Sequence, residues 1–120
     1  MLFVEYPACS TCRKAKQWLD ERGFAYTDRH IRENNPTFGE LREWHRRSGL
    51  PLRRLCNTSG LQYKALQLKD KLPGMTEEEQ LRLLAGDGML VRRPVLVDGD
   101  TVLVGFRPEE WAQKLRPAAE

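Results

Sequence analysis

The chain has 120 residues, of which 40% are hydrophobic and 31% are charged, and its formal net charge at pH 7 is +3. This size and apolar share fit one domain with one core, and so small and evenly spread a charge does not indicate direct nucleic-acid binding. No apolar stretch reaches the roughly 20 residues of a membrane helix, and nothing resembles a signal peptide. Three cysteines are too few for a secreted disulfide framework, so we expect a cytoplasmic protein.

The N-terminal quarter predicts a β-α-β unit. Residues 2–6 are a short β-type run, and Pro7 ends it because proline has no backbone N–H for the ladder. Residues 10–22 carry apolar side chains at helical spacing, and Gly23 fits the left-handed position beyond a helix end. Residues 24–31 predict the second strand.

Two capping boxes begin helices in the middle of the chain. Thr37 with Glu40 has the required spacing, and the helix that follows ends at Gly49. Thr76 with Glu79 repeats the pattern, and that helix ends before the turn at residues 86–88. The buried face of the second helix is expected at Leu81, Leu83 and Leu84.

The segment between these helices predicts two further short helices, broken near residues 57–60. Its apolar positions are Leu52, Leu55, Tyr63, Leu66 and Leu68. The whole helical insertion therefore covers about residues 37–86.

The C-terminal part predicts a hairpin and a closing helix. Residues 95–97 and 102–104 are β-type runs around Asp-Gly-Asp, whose residues tolerate the positive φ of tight turns. Pro108 suits the first turn of a helix, followed by acidic residues that complement its dipole and by an apolar face at Trp111 and Leu115.

The element order is β-α-β, a helical insertion, then β-β-α. This is the order of a thioredoxin-like α/β fold, a mixed four-stranded sheet with an inserted helical segment. Since crossovers between parallel strands are right-handed, we expect the first and last helices to share one face of the sheet.

A C-x-x-C motif, Cys9 and Cys12, lies at the start of the first helix. Backbone N–H groups at a helix N-terminus stabilise a thiolate, so we expect Cys9 to be the nucleophile. Cys12 lies one turn later, where it can form a disulfide with Cys9 or resolve a mixed disulfide. Arg13, Lys14 and Lys16 add positive charge nearby.

The cysteine pair has two alternative interpretations, as half of a zinc site or as two small buried residues. A structural zinc site needs four ligands, and Cys56, His30 and His45 are scattered singly, so no metal site is predicted. Cys56 is expected in the core, and both histidines at the surface.

Arg93 and Pro94 precede the third predicted strand. In thioredoxin-like folds a cis-proline at this point usually faces the C-x-x-C motif, so we expect a cis bond before Pro94. Arg93 is a candidate to bind an oxyanion or to stabilise the Cys9 thiolate, and Arg107 returns to the same end of the sheet. The alternative is that these arginines are only a solvated pair.

Three motifs together resemble the family of glutaredoxin-linked arsenate reductases and Spx proteins. They are residues 7–13 (PACSTCR), Arg93-Pro94, and residues 105–108 (GFRP). The resemblance covers nearly the whole chain. It implies a thioredoxin-like core with a helical insertion, a nucleophilic Cys9, and anion-binding arginines at Arg93 and Arg107, with Arg13 as a further candidate. It also implies a thiol-disulfide oxidoreductase without a bound cofactor, using glutathione, glutaredoxin or thioredoxin as reductant.

The sequence departs from arsenate reductases at two positions. Those enzymes carry one cysteine in the first loop, whereas this chain has a second one, Cys12. They also carry a further arginine in the insertion, where this chain has Asn57. We therefore expect slow arsenate turnover. The cysteine pair resembles the Spx branch instead, whose members bind the C-terminal domain of the RNA polymerase α subunit and respond to oxidation. The two hypotheses are thus an enzyme with a small thiol or oxyanion substrate, and a redox-sensing regulator.

Overall fold

The computed structural model describes residues 1–115. These residues form two compact units, one made of Met1–His30 with residues 93–115, and the other of Ile31–Arg92. Within the described part, no helix has both the length and the apolar character needed to cross a membrane.

The first unit contains a four-stranded sheet in the order β2-β1-β3-β4. The strands are β1 (Leu2–Glu5), β2 (Thr27–His30), β3 (Val95–Asp98) and β4 (Thr101–Val104). β1 and β2 are parallel, whereas β1 with β3 and β3 with β4 are antiparallel. The predicted mixed four-stranded sheet is confirmed.

Helices α1 (Ser10–Glu21) and α6 (Pro108–Lys114) contribute to one apolar cluster on the sheet. Phe3, Leu96 and Leu103 form a row across three strands, because Leu96 is the register partner of both others. The helices add Ala15, Trp18, Leu19 and Trp111, with Leu115 just beyond α6. The prediction that the first and last helices share a sheet face is confirmed.

The predicted second strand is longer than the observed one. Residues 24–31 were expected to be extended, but the strand is Thr27–His30. The Phe24 N–H donates to the Leu19 carbonyl at 3.1 Å, so the chain is still closing the end of α1 at that point. The strand begins only after this helix terminus is satisfied.

Both predicted capping boxes begin helices in the second unit. Thr37 precedes α2 (Phe38–Ser48), and its Oγ1 accepts from the Glu40 N–H at 3.1 Å. Thr76 makes the same arrangement before the helix Glu77–Gly86. Both predicted helix starts are confirmed. Each depends on two residues three positions apart, so a local sequence pattern is enough to predict it.

The segment between those helices differs from the prediction of two short helices. It contains two α-helices, α3 (Leu61–Ala65) and α4 (Leu68–Lys71), and two 3₁₀ turns, Leu52–Leu55 and Leu72–Gly74. Helix α5 is Glu77–Gly86.

The predicted apolar stripe of this segment is only partly buried. Gln67 has φ +55°, in the left-handed region, and separates α3 from α4. Such a residue resets the helical phase, so one periodicity cannot be carried across it. Leu66 is consequently exposed, whereas Tyr63 and Leu68 are buried.

Candidate active site

Cys9 lies in the turn between β1 and α1. Its N–H donates to the Tyr6 carbonyl at 2.9 Å, and its own carbonyl accepts from the Arg13 N–H at 3.1 Å, which is the first hydrogen bond of the helix. Cys9 is thus the N-cap residue of α1, with extended backbone angles and no side-chain cap. A half-buried thiol therefore occupies the positive end of the helix dipole.

The hydrogen bonds around the Cys9 sulfur favour its thiolate. Burial acts to raise the pKa of Cys9, but the N–H and thiol of Cys12 and the N–H of Thr11 donate to this sulfur, and the charge of Arg93 adds to their effect. The net result is a pKa of Cys9 below its ordinary value. Such donors stabilise the charged form of a thiol selectively.

Cys12 has the opposite environment. Its side chain is fully buried, and this burial, together with the negative charge of Cys9, raises the pKa of Cys12 to about 12, although the Tyr6 N–H donates to it. Cys9, Cys12 and Cys56 are all free thiols in the structure. One member of the pair is therefore suited to attack, and the other holds its proton.

Arg93 lies next to this pair. The Arg93-Pro94 bond is cis, and Pro94 is buried. The guanidinium of half-buried Arg93 lies over the Tyr6 ring, with Cζ 5.2 Å from the ring centroid. The His30 ring meets the same tyrosine edge-on, with centroids 5.6 Å apart. His30 is therefore half-buried against Tyr6 and only partly at the surface.

The other predicted cations are arranged differently. Arg13 is exposed on α1, and Arg107 is the exposed N-cap residue of α6. Lys16 points to two carboxylates, with its Nζ 3.2 Å from Glu5 Oε2 and 2.6 Å from Asp28 Oδ2. The structure thus brings together Cys9, Cys12 and Arg93.

Sequence reasoning missed Glu5, the last residue of β1. Among residues 1–115, Glu5 is the one charged residue whose side chain is buried, with 1% of its surface exposed. Burial and a hydrogen bond with Asp28 raise the pKa of Glu5 to about 7, against the lowering effect of Lys16. The available signal was a single acidic residue inside an apolar strand run, immediately before the C-x-x-C motif.

Cys56, Asn57 and His45 belong to the second unit. Cys56 is buried, as expected, and burial raises its pKa to about 11. Asn57 donates its N–H to the Leu90 carbonyl at 2.8 Å, and His45 lies half-buried on α2. Across residues 1–115, no three histidine, cysteine or acidic side chains are grouped so that they could hold a metal ion.

A mixed sheet with a C-x-x-C motif at the start of α1 and a cis-proline before β3 defines a thioredoxin-like protein with a helical insertion. The model of the ArsC family matches residues 4–114. The chain therefore belongs to the ArsC family, and the resemblance found in the sequence is confirmed.

The curated relatives include proteins named as regulators. The chain is 48% identical to the uncharacterized protein YusI of Bacillus subtilis over 94% of this chain and 96% of that protein. It is 33% identical to the regulatory protein MgsR of Bacillus subtilis, over 92% of this chain and 86% of MgsR. The global transcriptional regulator Spx 2 of Bacillus anthracis is 28% identical to this chain, over 86% of this chain and 77% of the length of Spx 2.

Solved structures have the same fold. A Bacteroides fragilis protein whose name relates it to the ArsC family superposes with a TM-score of 0.91 at 57% identity, covering 93% of this chain and 94% of that one. A possible arsenate reductase from Streptococcus mutans gives a TM-score of 0.85 at 44% identity, covering 92% and 96%.

Proposed function

We propose that this protein is a thiol-disulfide oxidoreductase in which Cys9 is the nucleophile and Cys12 is the resolving thiol. The observation that carries the proposal is the pair of opposed environments at the N-terminus of α1. The Cys9 sulfur accepts hydrogen bonds from backbone N–H groups, which lower its pKa, whereas burial keeps Cys12 protonated. A low-pKa thiol with a second thiol one turn away is the arrangement that thiol-disulfide exchange requires.

The proposed substrate is a small disulfide or an oxyanion that oxidises Cys9. Arg93 supports an anionic substrate because its charge acts on the Cys9 sulfur. Arg107 and Arg13 remain candidates for the outer part of this anion site. Glutathione, glutaredoxin or thioredoxin would return the pair to the dithiol form in a reducing compartment such as the cytoplasm.

Arsenate is a weaker candidate for the substrate, although a relative of known structure is named as a possible arsenate reductase. The insertion has Asn57 where arsenate reductases carry an arginine, and the N–H groups of Thr11 and Cys12 already serve the Cys9 sulfur. We therefore expect sulfate to bind weakly and arsenate to be turned over slowly. Robust arsenate-dependent oxidation of a glutathione or thioredoxin couple would contradict this part of the proposal.

A panel of small disulfides and oxyanions, measured with glutathione- and thioredoxin-coupled reduction, tests the enzyme. Wild type should turn over at least one substrate, and Cys9→Ser should abolish that activity. The matched control is Cys56→Ser, which removes the third thiol and should retain turnover. Activity that persists in Cys9→Ser would overturn the proposal.

A second candidate is a redox-sensing regulator, favoured by the similarity to MgsR over most of both chains. In that case the same cysteine pair is a switch, and the partner is the C-terminal domain of the RNA polymerase α subunit. Retention of the α subunit by the immobilised protein, altered by oxidation in wild type but not in Cys9→Ser, would favour the regulator. Turnover without such binding would favour the enzyme.

A further inference from the structure

A cavity of about 460 Å³ lies within the second unit, lined by the two 3₁₀ turns and by helices α3, α4 and α5. Its apolar lining consists of Leu52, Tyr63 and Leu72, each of which is 7% exposed, and of exposed Pro73. Sites for small organic ligands have mostly apolar walls and volumes from about 300 to 1,000 Å³. The described lining residues all belong to Ile31–Arg92, so the cavity shares none of them with the thiol site.

One wall of the cavity is fixed by Gln80 of α5. Its Nε2 donates to the Leu72 carbonyl at 3.0 Å and to the Met75 carbonyl at 3.1 Å. The turn Leu72–Gly74 is thereby tied to α5, and the ring of Pro73 fixes the backbone φ within that turn. The wall is therefore ordered before any ligand arrives, which lowers the entropic cost of binding.

The hydroxyl of Tyr63 is an unused hydrogen-bond donor at this cavity. It makes no hydrogen bond to residues 1–115, although only 7% of the residue's surface is exposed. The oxygen is not sealed from solvent, because every fully buried side-chain oxygen or nitrogen of the described residues has a partner. The hydroxyl of a buried tyrosine usually finds a partner in the protein. Since Tyr63 lines the cavity, its hydroxyl can serve a ligand there.

Two cations line the cavity without an acidic partner. Arg53 and Lys69 are exposed, and neither forms an ion pair with a carboxylate of residues 1–115. Burial raises the pKa of Tyr63, and the charge of Arg53 opposes that rise, so this cation acts on the hydroxyl. Among the described lining residues Glu77 is the acidic one, and it lies in the first turn of α5, where the helix dipole stabilises its charge. The lining therefore combines apolar walls with an excess of positive charge.

We propose that this cavity binds a small amphipathic anion, a molecule with an apolar body and a single carboxylate or sulfonate group. The apolar body fills the space lined by Leu52 and Leu72. The anionic group lies on the exposed side, where Arg53 and Lys69 supply the countercharge and the Tyr63 hydroxyl donates a hydrogen bond. This site goes beyond the proposed thiol chemistry, because none of the described lining residues is a cysteine.

Two fluorescent probes separate the charge of the ligand from its apolar body. 8-Anilinonaphthalene-1-sulfonate carries one negative charge, and N-phenyl-1-naphthylamine has the same rings without the sulfonate. Titrated into the full chain, both probes should bind saturably, the sulfonate at one site per chain. Added salt should weaken binding of the sulfonate alone. Absence of saturable sulfonate binding would overturn the proposal.

Removing either cation should weaken binding of the charged probe alone. Arg53→Gln and Lys69→Gln should each raise its dissociation constant about threefold, as expected for a partly exposed charge pair. The dissociation constant of the neutral probe should not change. The matched controls are Arg54→Gln and Lys71→Gln, which remove neighbouring cations that do not line the cavity. Equal weakening in the controls would mean a general attraction to basic surface, and the site would be wrong.

Two further variants test the lining itself. Tyr63→Phe keeps the ring and removes the hydroxyl, so it should weaken the charged probe at least about threefold and spare the neutral one. Glu77→Gln should tighten binding of the charged probe about twofold, because it removes a like charge. Glu78→Gln, which changes the partner of Arg82 outside this cavity, should not.

The gain of affinity keeps the test decisive if Tyr63→Phe does not fold, because partial unfolding of a site does not strengthen it. Unchanged affinity in Glu77→Gln, or the same gain in Glu78→Gln, would contradict the assigned lining.

Cys9→Ser separates this inference from the thiol chemistry. The variant should bind both probes as wild type does, whether or not the protein turns over a disulfide. Loss of sulfonate binding in Cys9→Ser would place the probe at the thiol site and would end the proposal for this cavity.

Discussion

Tyr6 and Arg93 are joined by a cation–π contact beside the thiol pair, with the guanidinium carbon 5.2 Å from the ring centroid. Tyr6 also accepts the Cys9 N–H at its carbonyl and donates its own N–H to the Cys12 sulfur. One residue immediately after β1 therefore contacts both cysteines and the nearby cation. Contacts of this kind contribute about 0.5–1 kcal/mol at exposed sites and more when desolvated.

Replacing Arg93 should make the Cys9 thiolate less stable. Arg93→Gln removes a charge that lowers the pKa of Cys9, so the pKa should rise. The rise should be smaller than in Cys12→Ala, because the Cys12 thiol hydrogen bond has the larger effect. The pH dependence of Cys9 alkylation measures both shifts. Arg107→Gln is the control, and an equal shift there would show that Arg93 has no special position.

Mild oxidation should join Cys9 to Cys12 and leave Cys56 as a thiol. The first two are one helical turn apart, whereas Cys56 is 1% exposed and has a pKa of about 11. Peptide mapping after oxidation and alkylation identifies the bridge. Recovery of Cys56 in a disulfide would be inconsistent with this structure.

The buried carboxyl of Glu5 should make stability depend on pH. Its pKa is raised from 4.5 to about 7 in the folded protein, so the protonated form is favoured by folding. This stabilisation is complete below pH 4.5 and is lost as the pH rises to about 7, an effect of roughly 3 kcal/mol. The pKa of Asp28 is lowered, so its contribution is lost only in more acidic solution.

Glu5→Gln removes this titration. Urea unfolding between pH 4.5 and 8 should show the wild-type free energy of unfolding falling relative to that of Glu5→Gln by up to about 3 kcal/mol. Glu21→Gln should follow wild type throughout. Parallel curves for wild type and Glu5→Gln would mean that Glu5 titrates normally.

Removing the indole N–H of Trp111 should destabilise the first unit. Trp111 is fully buried, and its Nε1 donates to the Gly105 carbonyl at 3.1 Å. Trp111→Phe leaves that carbonyl without its donor and should cost about 1–3 kcal/mol of unfolding free energy. Tyr26→Phe also removes one hydrogen bond, to exposed Asp20, and should cost less than about 1 kcal/mol. Equal losses would show that burial of the Trp111 bond is unimportant.

The sequence by itself determines the local features of this protein. Each capping box, at Thr37 and at Thr76, is formed by two residues three positions apart. The two thiols of the C-x-x-C motif have the same spacing, which places them one helical turn apart. The hairpin at residues 98–101 follows from its turn residues. The strand and helix order then defines the thioredoxin-like sheet, because few topologies satisfy the handedness of the crossover.

Only the tertiary structure decided which charges surround the thiols. Glu5 has the sequence context of an ordinary strand residue, yet its buried carboxylate forms an ion pair with half-exposed Lys16, eleven positions away. Arg93 and Arg107 are equivalent in sequence as basic residues near strand ends, yet it is the charge of Arg93 that lowers the pKa of Cys9. Burial and through-space charge depend on residues far apart in the chain, so no spacing within a local motif encodes them.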